Sequence, residues 1–169
     1  WLDQVSLLIA MKQQPHFFTK DAYLKIPILG KALSNHEAIP VEHKSLRTDT
    51  SEIVKGFIKK GDNLLLFLEG TRGHGRNLLP FRFGAVKYSS DYNLPLLPIY
   101  ILGSEEVLSK KRSLLEINPG EIKIIIDRPI ILKNLDLEKE KEEFENNYRK
   151  KYHILYDQFH SKKGIKKND

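Results

Sequence analysis

The chain has 169 residues, of which 40% are hydrophobic and 30% charged, a balance that excludes intrinsic disorder and corresponds to one domain. It contains no cysteine, which excludes disulfides, thiolate catalysis and cysteine-based zinc sites. The formal net charge of +6 favours an anionic partner but does not choose among membrane lipid, nucleic acid and a phosphorylated small molecule.

The first part of the chain alternates between helical and strand patterns. Apolar residues at helical spacing predict a helix over residues 2–13, ended by Pro15. Short strands are predicted at 16–19 and 38–41. A further helix over 45–60 is closed by Gly61, at the place where a left-handed cap belongs.

The second part contains the longest elements. Residues 63–68 form a continuous apolar run, which is typical of a strand covered on both faces, and 94–102 and 121–126 predict two more strands. A long amphipathic helix is predicted over 136–162, followed by a frayed basic tail at 163–169. No apolar run approaches the length of a membrane span, roughly 18 residues.

This alternation predicts an α/β fold: a single domain over residues 1–169, with a central, mostly parallel or mixed sheet flanked by helices. We expect the strands at 64–68 and 96–101 to be neighbours or nearly so in that sheet. Residues 1–130 hold the motifs described next and form the motif-bearing core.

The strongest local signal is the loop Glu69-Gly70-Thr71-Arg72, directly after the apolar run. Loops at strand ends are where open α/β sheets bind ligands. Gly70 lets a ligand approach the backbone, and the arginine fork can hold two phosphate oxygens. The alternative is a polar turn in which Glu69 and Arg72 form a local ion pair.

At this loop the sequence resembles a known family. Residues 67–72, Phe-Leu-Glu-Gly-Thr-Arg, are similar to the Phe-Pro-Glu-Gly-Thr-Arg block of the glycerolipid acyltransferases, the family of bacterial 1-acyl-sn-glycerol-3-phosphate acyltransferase. Residues 79–85, 94–99 and 20–30 resemble three further blocks, in the family's order. The resemblance implies a glycerol-3-phosphate acyltransferase-like fold.

The resemblance also implies a catalytic residue. Trp1-Leu2-Asp3 matches the end of the family block Asn-His-x-Ser-Trp-x-Asp. The general-base histidine of that block falls three residues upstream of Trp1, so Asp3 would orient a histidine absent from this sequence. We therefore expect the chain as given to be inactive without that histidine, since no other base is evident.

The family's phosphate-binding positions match Lys20 and the residues Glu69, Gly70, Thr71 and Arg72. Where the family has Ile-Asp-Arg, this chain has Val41-Glu42-His43, so Glu42 and His43 are possible acceptor-site residues. His43 carries little charge at neutral pH, which leaves the acceptor's identity open. We expect Asp3, Lys20, Thr71 and Arg72 to share one pocket.

The implied reaction moves a fatty acyl group from acyl-CoA or acyl carrier protein to a lysophosphatidate-type hydroxyl, in phospholipid biosynthesis. Attack is direct, because the chain has no cysteine and no serine in a nucleophile elbow. No cofactor is expected, and no metal, because the histidines show no ligand-like spacing. The partners implied are the lysophospholipid acceptor and the acyl donor.

The resemblance also implies where the protein acts. No signal peptide is expected from the N-terminal residues given, and a cytoplasmic membrane surface is the expected place of action. Basic stretches such as Lys110-Lys111-Arg112 could meet anionic lipid there, and the alternative for each stretch is a solvated surface. The alternative function is a catalytically incompetent relative that binds a phospholipid without turning it over. Nucleic acid is not expected as a partner, because no recognition-helix motif or interleaved aromatic and basic residues are present.

Overall fold

The computed structural model describes residues 2–11, 15–20, 24–25, 30–31, 34, 38–41, 51–71, 73, 75–108, 118–132 and 136–166. The chain divides into two compact units. The smaller unit is Leu8–Phe67, and the larger unit comprises Trp1–Leu7 and Leu68–Asp169.

Helices and strands alternate along the described chain, which confirms the predicted α/β class. In chain order they are α1 (Leu2–Ala10), β1 (His16–Lys20), β2 (Ile39–Val41), α2 (Ser51–Lys60), β3 (Leu64–Leu65), α3 (Gly84–Tyr92), β4 (Ile99–Leu102), α4 (Ser104–Val107), β5 (Lys123–Ile126) and α5 (Leu137–Lys166). No helix in the described ranges combines the length and the apolarity that crossing a membrane requires.

The smaller unit holds a parallel three-stranded sheet in the order β2-β1-β3. Phe17 on β1, Ile39 on β2 and Val54 on α2 are almost completely buried. Helix α2 ends as the sequence predicts: Gly61 has φ +79°, and its N–H donates to the Ile58 carbonyl at 3.0 Å.

The larger unit is built on an antiparallel pair, β4 with β5, in which Ile99 lies opposite Ile126. Helix α5 covers this pair with its aromatic stripe. Tyr100 and Leu102 of β4 pack with Tyr152 and Phe159 of α5 in one buried cluster. The helical spacing of the aromatic residues is therefore explained by burial against the sheet.

A second buried cluster joins α3 to the other end of α5, through Phe81, Val86 and Phe144. The sequence analysis did not predict α3, which begins at Gly84 and ends where Asn93 adopts φ 52°. The tertiary contacts of Val86 and Phe81 stabilise a segment whose own sequence is a weak helix former.

The sheet differs from the prediction. Of the run 63–68, only Leu64–Leu65 forms a strand, because the chain then leaves the ladder to reach the turn at Glu69. β3 belongs to the parallel sheet and β4 to the antiparallel one, so 64–68 and 96–101 are not neighbours in a single described sheet.

The C-terminal end of α5 also differs from the prediction. Helix α5 continues to Lys166, beyond the predicted end at 162, so the first part of the basic tail is helical rather than frayed. Lysines at a helix C-terminus complement the macrodipole, which accounts for the extension. The predicted helical residues 12–13 and 45–50, and tail residues 167–169, lie outside the described residues.

Gly103, between β4 and α4, offers a test of this packing. Its φ is +84°, and a Cβ there would lie 2.3 Å from the Glu121 carbonyl oxygen. We expect Gly103→Ala to lower the free energy of unfolding by at least about 2 kcal/mol, from backbone strain and overpacking, in urea denaturation. Gly56→Ala is the matched control, because the new methyl group meets nothing within 4 Å. Its free energy of unfolding should rise by about 0.5–1 kcal/mol, since alanine favours a helix more than glycine does. Equal unfolding midpoints for the two variants would contradict the described backbone.

Candidate functional site

The turn after β3 exposes its backbone. Gly70 has φ +63°, a region that residues with a side chain rarely adopt, and both Gly70 and Thr71 are exposed. The turn therefore presents main chain to solvent at the point where the sequence predicts a phosphate-binding loop.

Glu69 points its carboxylate back into the protein. Its Oε2 accepts a hydrogen bond from the Leu79 N–H at 2.8 Å. Gly73 passes so close that a Cβ there would lie 2.7 Å from the same oxygen, so a side chain at 73 would displace the carboxylate. Glu69 thus ties the turn to the segment that returns from it, residues 78–82, which we call the return segment.

The return segment is bonded to the turn at a second point as well. The Arg82 N–H donates to the Leu68 carbonyl at 2.7 Å, one residue before Glu69. Two backbone donors of the return segment, at Leu79 and Arg82, therefore hold the two residues that lead into Gly70.

Helix α5 fixes the return segment from the other side, through the ion pair Arg149–Glu145. The Arg149 guanidinium donates to the carbonyls of Leu78, at 2.8 Å, and Leu79. It also pairs with Glu145 at 2.6 Å, and the Glu145 carboxylate accepts from the Phe81 N–H at 3.4 Å. Both side chains are partly buried, so these bonds replace part of the water contacts that the groups have lost.

Two more contacts join α5 to the chain just before the return segment. The Tyr152 hydroxyl donates to the Gly75 carbonyl at 2.9 Å. Arg76 forms two parallel bonds to Asp157, at 2.9 and 3.0 Å, and this hydrogen bonding lowers the pKa of the Asp157 carboxyl. Helix α5 therefore contacts the loop at intervals from Gly75 to Phe81.

Asp3 lies in the first turn of α1 and is half-buried. Its Oδ1 is buried and accepts no hydrogen bond from any residue that the structure describes. A buried carboxylate oxygen normally has a donor, so this one is available to a group beyond the described residues.

Asp3 and Glu69 act on a common neighbour. Burial is the main cause that raises the pKa of Tyr152, and the negative charges of Glu105, Glu69 and Asp3 raise it further. Water screens buried charges only weakly, so the two carboxylates act on this phenol without contacting it. Asp3 and Glu69, which are 66 positions apart in the numbering, therefore both contribute to the electrostatics of Tyr152.

The remaining predicted site residues have different outcomes. Lys20 ends β1 in the smaller unit, and only its backbone is described. Glu42, His43 and Arg72 lie outside the described residues. The shared pocket of Asp3, Lys20, Thr71 and Arg72 therefore stays a prediction. Among the described residues, no group of three or more acidic or histidine side chains is arranged to hold a metal ion.

Sequence reasoning missed two arginines. Arg82 lies over Gly70, where a Cβ would be 3.2 Å from its Cγ, although its block at 79–85 was recognised. Arg149 holds the return segment, and the only local signal for it was a Glu145–Arg149 pair at helical i, i+4 spacing. In both cases the partner is distant in sequence, so spacing alone could not indicate the contact.

Comparison with known proteins identifies what the chain is similar to. A family model described as Acyltransferase matches residues 1–102. The chain is 28% identical over 132 residues to 1-acyl-sn-glycerol-3-phosphate acyltransferase BAT2, chloroplastic, of Brassica napus, covering 77% of this chain and 38% of that protein. It is 31% identical over 133 residues to 1-acyl-sn-glycerol-3-phosphate acyltransferase of Cocos nucifera, covering 77% of this chain and 41% of that protein. The chain thus spans less than half the length of these curated relatives.

A solved structure gives the same fold. The crystal structure of the 1-acyl-sn-glycerophosphate (LPA) acyltransferase PlsC from Thermotoga maritima matches with a TM-score of 0.68 at 19% identity, covering 89% of this chain and 61% of that chain. At this identity the likeness establishes the fold alone.

The Arg149–Glu145 pair generates a stability prediction. Arg149→Met removes the donors of the Leu78 and Leu79 carbonyls and leaves Glu145 without its cation. We expect a loss of about 2–3 kcal/mol in urea unfolding. Lys150→Met, at the exposed neighbouring position, is the matched control and should change stability by less than about 0.5 kcal/mol. If both variants unfold at the same urea concentration, the pair does not hold the return segment.

Proposed function

Because the chain belongs to the acyltransferase family, we propose that it is part of an enzyme that acylates the free hydroxyl of a lysophosphatidate-type acceptor. The proposed donor is a fatty acyl thioester, acyl-CoA or acyl carrier protein. The observation that carries the proposal is the buried Oδ1 of Asp3, which has no hydrogen-bond donor among the described residues, at the position where the family motif has its catalytic aspartate.

In the proposed mechanism, Asp3 positions a base. An imidazole N–H would satisfy the Asp3 oxygen and be held in one tautomer by it, and the resemblance places the histidine three residues before Trp1. Asp3 itself is the positioning residue. A carboxylate is a weak base toward an alcohol, so acyl transfer is proposed to require that histidine.

The chemistry needs no covalent enzyme intermediate. The imidazole takes the proton of the acceptor hydroxyl while the hydroxyl oxygen attacks the thioester carbonyl carbon. The carbon–sulfur bond of the tetrahedral intermediate then breaks, and the departing thiolate takes the proton from the imidazolium. The products are an ester and a free thiol, and the base is restored.

The turn at Gly70 is the proposed place of the acceptor phosphate. Gly70 and Thr71 are both exposed, backbone N–H groups suit an anion, and the resemblance adds Arg72. In this arrangement Glu69 acts indirectly, because its carboxylate would repel a phosphate and is already bonded to the Leu79 N–H. By the same resemblance Glu42 and His43 contribute to the acceptor site.

The place of the reaction is proposed on chemical grounds. Lysophosphatidate resides in membranes, so the enzyme is proposed to work at a cytoplasmic membrane surface, in phospholipid biosynthesis. The excess of basic residues, +6 over the chain, would draw the protein toward anionic lipid.

The test uses the full-length protein, including the segment upstream of Trp1. We expect formation of phosphatidate from lysophosphatidate with acyl-CoA or acylated carrier protein, detected by mass spectrometry, and separate assays with each donor identify which one serves. Asp3→Asn should lower kcat about 10²–10⁴-fold, because the histidine loses its orienting acceptor.

Asp91→Asn is the matched control, because Asp91 is an exposed aspartate that pairs only with Lys87 in the described structure. Its kcat should stay within a factor of about two of the parent. Binding of lysophosphatidate without product from either donor would overturn the proposal and indicate a binding protein instead.

A further inference from the structure

The side chain of Arg82 lies against the Gly70 turn. A Cβ at Gly70 would meet its Cγ at 3.2 Å and its Nε at 3.3 Å, closer than side chains normally approach. Gly70 has only a hydrogen in that place, so the arginine stem packs on the bare backbone of the turn. Glycine at residue 70 therefore allows both the left-handed backbone of the turn and the close approach of Arg82.

The guanidinium of Arg82 is not taken up by a structural partner among the described residues. The residue is exposed, and within the described residues no ion pair or side-chain hydrogen bond engages its guanidinium. Its two neighbours in the same region differ in this respect. Arg76 is held by Asp157 and Arg149 by Glu145, so both of those guanidinium groups have structural partners.

The backbone that leads into Arg82 is held at two points. Its N–H donates to the Leu68 carbonyl at 2.7 Å. The preceding residue, Phe81, lies under the Arg149 guanidinium at 5.0 Å from the ring centre and donates its N–H to Glu145. Little conformational freedom remains to be lost on binding at the base of this side chain, which favours affinity for a ligand.

From this geometry we propose that Arg82 contacts the acceptor phosphate, together with the exposed backbone of Gly70 and Thr71. This rests on the proposed function and adds a second guanidinium to the site that the resemblance assigns to Arg72. A planar guanidinium can bond two phosphate oxygens at once, and charge-assisted bonds of this kind are stronger than neutral ones. Arg82 would therefore select acceptors that carry a phosphate.

The experiment compares Arg82→Gln and Arg82→Lys in the full-length protein. Binding of a short-chain, monomeric lysophosphatidate is measured by calorimetry, which needs no turnover. We expect Arg82→Gln to raise the Kd about 10–100-fold and Arg82→Lys to restore part of the loss, because lysine keeps the charge but not the fork. In the acyl-transfer assay the KM for the acceptor should rise similarly, with the KM for the donor unchanged.

Arg128→Gln is the matched control, since Arg128 is an exposed arginine that follows β5 and has no part in the proposed site. It should bind the acceptor as the parent does, and all variants should share one urea midpoint. A second ligand, monoacylglycerol of the same chain length, lacks the phosphate and should bind parent and Arg82→Gln equally.

The outcomes separate this proposal from the preceding one. Loss of affinity in Arg82→Gln without any turnover in the parent would support the contact of Arg82 with the phosphate and overturn the proposed acyl-transfer activity. Normal turnover with an unchanged Kd would overturn the role of Arg82. An equal loss of affinity for lysophosphatidate and monoacylglycerol would also overturn the role of Arg82. Weaker adsorption to phosphatidylglycerol vesicles, with an unchanged Kd for the monomeric acceptor, would overturn it too and would assign Arg82 to the membrane surface instead.

Discussion

The hydrogen bond from the Leu79 N–H to the Glu69 carboxylate is the constraint on which the candidate site depends. It joins the turn that exposes Gly70 to the segment that carries Arg82. A charged acceptor makes this bond stronger than an ordinary backbone contact, and the close passage of Gly73 leaves the carboxylate little freedom to move. Together with the bond from the Arg82 N–H to the Leu68 carbonyl, it fixes the turn against the return segment.

That bond is in turn supported from far along the sequence. Arg149 and Glu145 of α5 bind three backbone groups of the return segment: the carbonyls of Leu78 and Leu79 and the N–H of Phe81. The family model ends at residue 102, whereas α5 begins at Leu137. The motifs of this family are thus completed, in this chain, by a helix that lies beyond the matched region. This partly buried ion pair fixes the position of the return segment more than it adds net stability, because desolvation offsets much of its attraction.

Local sequence patterns predicted what local physics determines. The strands at 16–19 and 38–41, the cap at Gly61 and the long helix α5 were all confirmed, since each follows from spacing or from one residue's backbone freedom. Helix α3 and the separate sheets were missed, because they depend on tertiary contacts. In the site, Gly70 could be identified from its motif, whereas the approach of Arg82 to it could not, because the two lie on segments that meet only after folding.

The central claim is that Asp3 and Glu69 serve one site, and a double-mutant cycle tests it most directly. The kcat/KM of the full-length protein is measured for Asp3→Asn, Glu69→Gln and the double variant. Residues that act as a unit are strongly non-additive, so the account predicts that the double variant is only slightly worse than the more impaired single variant. Losses that multiply independently would show that the two carboxylates act separately and would contradict the account.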